Sequence, residues 1–431
     1  MSPRHTITVS ARQALAAGAL FMAGCASMQP ATDLAESAPV PVVIAHRGAS
    51  GWLPEHTLAA YALAIEQGAD FIEPDLVVTR DRVLIARHEN ALSGSTDVAA
   101  HPEFTARRTT KRIDGVAVTD WFAEDFSLAE IKTLRARTPW PALRPQAARH
   151  DGDFEIPTFA EVIALAGAHP RVGIYPETKH PTFFADEGRH LDGTPIAIDT
   201  SALLLATLRE TGFVDPSRVF IQSFELYNLL RLATELLPAA GLKIPLVQLL
   251  GNTDPADARA HDGFSQPWDL VFHAANGADL AALYPGLGTA LGAPLDRRIG
   301  YAQLTSPAAL AWMRARYAAG VGPWISNIVP RTGLPGADPN ANAAQTQLTG
   351  RATTLIADAR AAGLLVHPYT LRAEARFAAL DRHGQVQSVD AAARQLLDLG
   401  ANGWFIDQPD LGVAARDAWL DAKARAAPQP R

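Results

Sequence analysis

Along the chain, short apolar runs alternate with stretches in which apolar residues return every three or four positions. The runs are Val42–Ala45, Phe71–Val78, Val83–Ala86, Val172–Tyr175, Val219–Ile221, Pro245–Leu250, Val321–Ile325, Leu364–Val366 and Trp404–Ile406. Between them, Leu58, Tyr61, Ala62 and Ile65 fall at i, i+3, i+4 and i+7, and Leu226, Leu229, Leu230 and Ala233 repeat that spacing. Such a stripe marks a helix with one buried face. The alternation predicts parallel strands joined by helical crossovers. Nine runs are one too many for a closed eight-stranded barrel, but only Thr79-Arg80-Asp81-Arg82 separates the second run from the third. A parallel crossover needs a dozen or more residues, so these two must pair antiparallel as a hairpin. Eight parallel strands remain, and the predicted fold is α/β: a (β/α)8 TIM barrel with an insertion after the hairpin. The barrel body is placed at residues 42–415, with the insertion over about 89–157. A second loop-rich segment spans 251–305, and 416–431 is read as a C-terminal tail.

The first 41 residues follow neither period. Residues 1–24 carry Arg4 and Arg12 but no acid, then an apolar run from Ala14 to Ala23. That is about half of what spans a bilayer, and it reads as an export signal. Met22-Ala23-Gly24-Cys25 resembles a bacterial lipobox, which implies cleavage at residue 24 and acylation of Cys25. Residues 25–41, rich in Ala, Ser and Pro, then form a flexible tether of up to roughly 50 Å. The expectation is an exported, periplasmic protein held at the outer membrane through its lipid alone.

Composition narrows the partners. With 38 basic and 45 acidic residues the formal charge is −7, which supplies no field for nucleic acid. A single cysteine excludes an internal disulfide, and no Cys/His cluster has zinc-finger spacing.

A barrel collects its chemistry at the C-terminal ends of its strands. The first run ends in His46-Arg47-Gly48, the second carries Glu73 and Asp75, the hairpin returns to His88, and the next run leads to Glu177 and Lys179. Glu73 and Asp75, two apart on a strand, leave from one face. With Glu177 from the neighbouring strand they offer three hard oxygen ligands, suited to Ca²⁺ ahead of Mg²⁺. Two histidines beside a cation, an arginine and a lysine suit phosphoryl transfer: one histidine takes a proton, the other gives one, and the cations hold anionic oxygens. The other histidines are read as surface or structural, with His56 and His367 the foremost exceptions.

These residues in this order resemble the glycerophosphodiester phosphodiesterase family. His46-Arg47-Gly48 with Pro54-Glu55-His56-Thr57 is similar to its opening motif, Glu73-Pro74-Asp75 to its Glu-x-Asp pair, His88 to its second histidine, and Tyr175-Pro176-Glu177-Thr178-Lys179 to its Glu-x-Lys segment. Gln222-Ser223-Phe224, Val366-His367-Pro368-Tyr369-Thr370 and Phe405-Ile406-Asp407-Gln408-Pro409 look like its later strand ends. The likeness is nearest to the periplasmic, calcium-dependent branch. Glu89 and Gly94 stand where that pattern has Asp and Arg. The resemblance implies hydrolysis of a small glycerophosphodiester, such as glycerophosphocholine or glycerophosphoethanolamine, to sn-glycerol 3-phosphate and an alcohol. His46 and His88 would move protons; Arg47 and Lys179 would bind phosphate. The competing readings are a phospholipase, which needs an apolar rim that Trp121, Phe122, Phe126 and Trp140 could supply, and a binding lipoprotein without activity.

Overall fold

Eight strands close a parallel barrel. The structure is a computed structural model in which residues 40–254, 264–338 and 341–426 are described; Cys25 and the leader lie outside them. Strand one is Val42–His46, strand two Phe71–Glu73 with Asp75–Val78, strand three Gly173–Ile174 with Glu177–Thr178, and strand four Ile221–Ser223. Strand five is Leu246–Leu250, six Ala318–Pro323, seven Leu365–Val366 and eight Gly403–Ile406. Strands one to seven pair in parallel in order, and strand one pairs with strand eight. Between strands seven and eight the link is looser: Asn402 N donates to Val366 O and Phe405 N to Pro368 O, both at 2.9 Å.

Strands two and three are each interrupted by a proline, Pro74 and Pro176, which has no N–H to give to a ladder. The expected run Phe71–Val78 is therefore two segments. The hairpin is the second of them, Asp75–Val78, antiparallel to Leu84–Ala86.

Period two builds the site on top of the core. Ile44, Phe71, Tyr175, Val247 and Phe405 fill the barrel interior, with Phe220 packed against them. Two residues further along the same strands come His46, Glu73, Glu177, Asp407 and Gln222. An inward-facing residue is followed two positions on by another, one layer nearer the C-terminal mouth. Apolar plug and polar site are thus successive layers of one pattern.

The insertion is well built. It carries a hairpin of Thr109–Ile113 and Val116–Asp120, whose Asp114-Gly115 turn has positive φ at both residues (46° and 81°), the two-residue geometry that Asp-Gly favours. Trp121, Phe122 and Phe126 are buried in the core and Trp140 packs on Phe377, so these four aromatics do not form the exposed rim considered for a phospholipase. Residues 416–426 are not a tail: they continue the last helix, Pro409–Ala426. Its packing contact is made by small residues, Gly412 lying against Ile406 and Val43, which gave no apolar stripe to read. No helix among the described residues is long and apolar enough to cross a membrane.

Candidate active site

Strand one delivers His46 and then turns sharply. Arg47 and Gly48 both take positive φ, 60° and 83°, and a Cβ on Gly48 would lie 2.7 Å from the Ala60 carbonyl carbon, so only glycine fits. The turn ends where Thr57 caps the first helix, its hydroxyl accepting from Ala60 N. It aims the Arg47 backbone N–H at Glu73 Oε2 (2.8 Å) and its side chain at Glu55 (3.0 Å) and Asp75 (3.4 Å). Burial alone would lower the Arg47 pKa, but Glu55 and Asp75 overcome it, and the guanidinium stays charged.

Glu73, Asp75 and Glu177 each offer an oxygen within 4.8 Å of the others, all three buried, with Asp75 directly opposite Glu177 in the sheet. Gln222 Nε2 donates to Glu73 Oε1 at 3.1 Å, and Lys179 Nζ lies 3.0 Å from Glu177. Burial, then Asp75 and Glu177, push the Glu73 carboxyl well above its usual range; burial, despite the opposing pull of Lys179, takes Glu177 to about 8. Asp75 goes the other way: burial would raise it, but Lys179 and the His56 hydrogen bond hold it well below. With all three carboxylates ionised, the cluster would carry one more negative charge than Arg47 and Lys179 balance. Its all-oxygen donor set fits a hard divalent cation.

The two histidines are each steadied by a carboxylate. His46 Nδ1 donates to Asp407 Oδ1 at 2.6 Å, and His88 Nδ1 faces Glu89 at 2.8 Å with Lys179 Nζ 3.4 Å from its Nε2. Burial and then Arg47 lower both rings to about 4, so both are neutral near pH 7. His46, Arg47, Glu73, Asp75, His88, Glu177 and Lys179 all line one cleft of about 500 Å³ at the mouth of the barrel. Every site residue expected in the described body meets there.

The profile of the glycerophosphoryl diester phosphodiesterase family matches residues 46–291. The chain belongs to that family. A glycerophosphodiester phosphodiesterase of Arabidopsis thaliana is 35% identical over 350 residues, covering 79% of this chain and 77% of its own. The corresponding enzyme of Haemophilus influenzae is 33% identical over 295 residues, 64% of this chain and 75% of its own. The crystal structure of a Silicibacter pomeroyi protein, at 18% identity, superposes with a TM-score of 0.50 over 88% of this chain and 94% of that one, a likeness of fold.

Several residues of the phosphodiesterase site were not assigned a role from sequence. His56 Nε2 lies 2.9 Å from Asp75 and its Nδ1 2.7 Å from the Tyr61 hydroxyl, so this histidine fixes one of the clustered carboxylates. His367 is structural: it meets Tyr175 Oη at 3.0 Å and does not line the cleft. His180 is a third histidine in the phosphodiesterase cleft. It bridges Asp114 at the insertion's hairpin tip (2.8 Å) and Glu89 (3.1 Å); burial opposes its charge, but Asp114 raises it to about 10. A protonated His180 therefore pins the hairpin over the mouth, where Trp268 packs against Gly115. Its position directly after Lys179 was the available signal.

Proposed function

We propose that this phosphodiesterase hydrolyses small glycerophosphodiesters, such as glycerophosphocholine and glycerophosphoethanolamine, to sn-glycerol 3-phosphate and an alcohol, using a divalent cation, Ca²⁺ ahead of Mg²⁺, and two histidines. The observation that carries the reading is the convergence on one cleft of two carboxylate-steadied neutral histidines, three clustered carboxylates and two fixed cations. Glu73, Asp75 and Glu177 hold the metal, which when bound neutralises charge on the phosphoryl oxygens. Arg47 and Lys179 bind those oxygens from the protein side. One histidine, neutral in the free protein, takes the proton of the attacking hydroxyl, from water or the adjacent glycerol carbon; the other must first take up a proton, which the anionic diester bound beside it favours, and passes it to the departing alkoxide. The test is a coupled assay for released glycerol 3-phosphate across several glycerophosphodiesters. Release from none of them would overturn the reading.

We also propose export and lipid anchoring through Cys25 as the setting of this activity. Cys25→Ser is expected to give unprocessed precursor or protein that no longer enters the detergent phase. Partitioning identical to the parent would remove the anchor.

A further inference from the structure

We infer that Arg144, supplied by the insertion, is a positioning residue for His46 and acts through Asp407. The inference rests on the reading that His46 moves a proton.

Arg144 belongs to none of the strand ends. It precedes a one-turn helix, Pro145–Ala148, far from any motif. Its side chain is 2% exposed, and its guanidinium spans three loops of the barrel mouth. Nη1 donates to Ser50 O at 2.9 Å, in the loop after strand one; Nε pairs with Glu374 at 2.5 Å, in the loop after strand seven; Nη2 pairs with Asp407 Oδ2, at the end of strand eight. The Trp140 ring lies 5.1 Å away. One buried cation thus ties together the three loops that flank the seam where the barrel closes.

The consequence falls on His46. Asp407 Oδ2 also accepts from Arg372 Nε at 2.7 Å, so this oxygen is held by two guanidiniums. The carboxylate cannot rotate without breaking both bonds, and the two charges keep it ionised although burial opposes that. Among the described residues its other oxygen has one side-chain partner, His46 Nδ1. An ionised carboxylate can only accept, so Nδ1 carries the hydrogen and the lone pair sits on Nε2. The tautomer and tilt of His46 are set by a residue of the insertion.

Removing Arg144 leaves Asp407 with one guanidinium, Glu374 with Gln408 (3.1 Å) among the described residues, and the Ser50 carbonyl without this donor. A loosened His46 lowers the frequency of productive alignment without touching the phosphate ligands. Arg144→Ala is therefore expected to lower kcat by about tenfold to a hundredfold with KM within about twofold of the parent. Arg144→Lys should recover only part of this, because a single ammonium cannot span three acceptors.

The deciding measurement is a double-mutant cycle in the full-length protein, with His46→Ala and thermal midpoints measured alongside. If Arg144 acts through Asp407, then Arg144→Ala added to Asp407→Asn should cost less than about twofold further in kcat. The low-field Nδ1–H resonance, identified by its loss in His46→Ala, should shift or broaden in Arg144→Ala. An undiminished loss in the Asp407→Asn background, or a rise in KM at constant kcat, would overturn the inference. Should Arg144→Ala not fold, Arg144→Lys runs the same cycle with the same criteria. The underlying reading fails separately: His46→Ala with near-parental kcat removes the two-histidine mechanism itself, whereas a crippled His46→Ala with an additive cycle removes only the role of Arg144.

Discussion

Exhaustive dialysis against chelator is expected to abolish turnover, and Ca²⁺ to restore it better than Zn²⁺, whose preferred ligands are nitrogen and sulfur. Three buried carboxylates within 4.8 Å make this the largest effect foreseen. The same cluster predicts how the cation acts on stability. Without metal, Glu177 keeps its proton up to about pH 8, and Glu73 is raised too, whereas in the unfolded chain such groups ionise near 4.5. Between those values the native state binds more protons than the unfolded state, so its stability falls as pH rises. A cation that displaces the protons removes that dependence. The rise in Tm on adding Ca²⁺ should therefore be larger at about pH 8 than at about pH 5.5. Full activity after chelation would show that the carboxylates serve the fold alone, and an equal shift at both pH values would show that the cation displaces no protons from them.

The second large effect belongs to the histidines. His46→Ala and His88→Ala should each lower kcat by at least about a hundredfold with folding intact. Lys179→Ala should act partly through KM, because a phosphate contact is made in ground and transition states alike. A p-nitrophenyl diester needs little protonation of its leaving group, so the variant that lacks the general acid should be partly rescued by it. The variant that lacks the base should not be. Near-native kcat in both variants on glycerophosphocholine would return the two rings to structural service.

The strand ends were legible because period two places a polar residue one layer above most of the apolar plugs, Val247 with Leu249 above it being the exception, a relation confined to neighbouring positions. Glu73 above Phe71 and Glu177 above Tyr175 need no knowledge of the rest of the chain. Strand six was read from Val321 although it begins at Ala318, since Ala-Ala-Gly carries little β preference. Arg144 was out of reach for a different reason. Its acceptors, Ser50, Glu374 and Asp407, are 94, 230 and 263 positions away, and no local period records a contact of that span. His180 was lost to the assumption that a histidine outside a motif is structural. Its partner Asp114 could not be foreseen without the hairpin.

Closure of the barrel between its first and last strands gives turnover a place in time. His46 is made near the start of the body and Asp407 361 positions later, so the pair cannot exist until the chain has been made past strand eight. A chain released short of strand eight would leave His46 without its carboxylate and Arg144 without one of its anions, however well the earlier strands had packed. During refolding, the onset of hydrolysis would therefore date the docking of the final strand, a step that burial of the earlier core does not report.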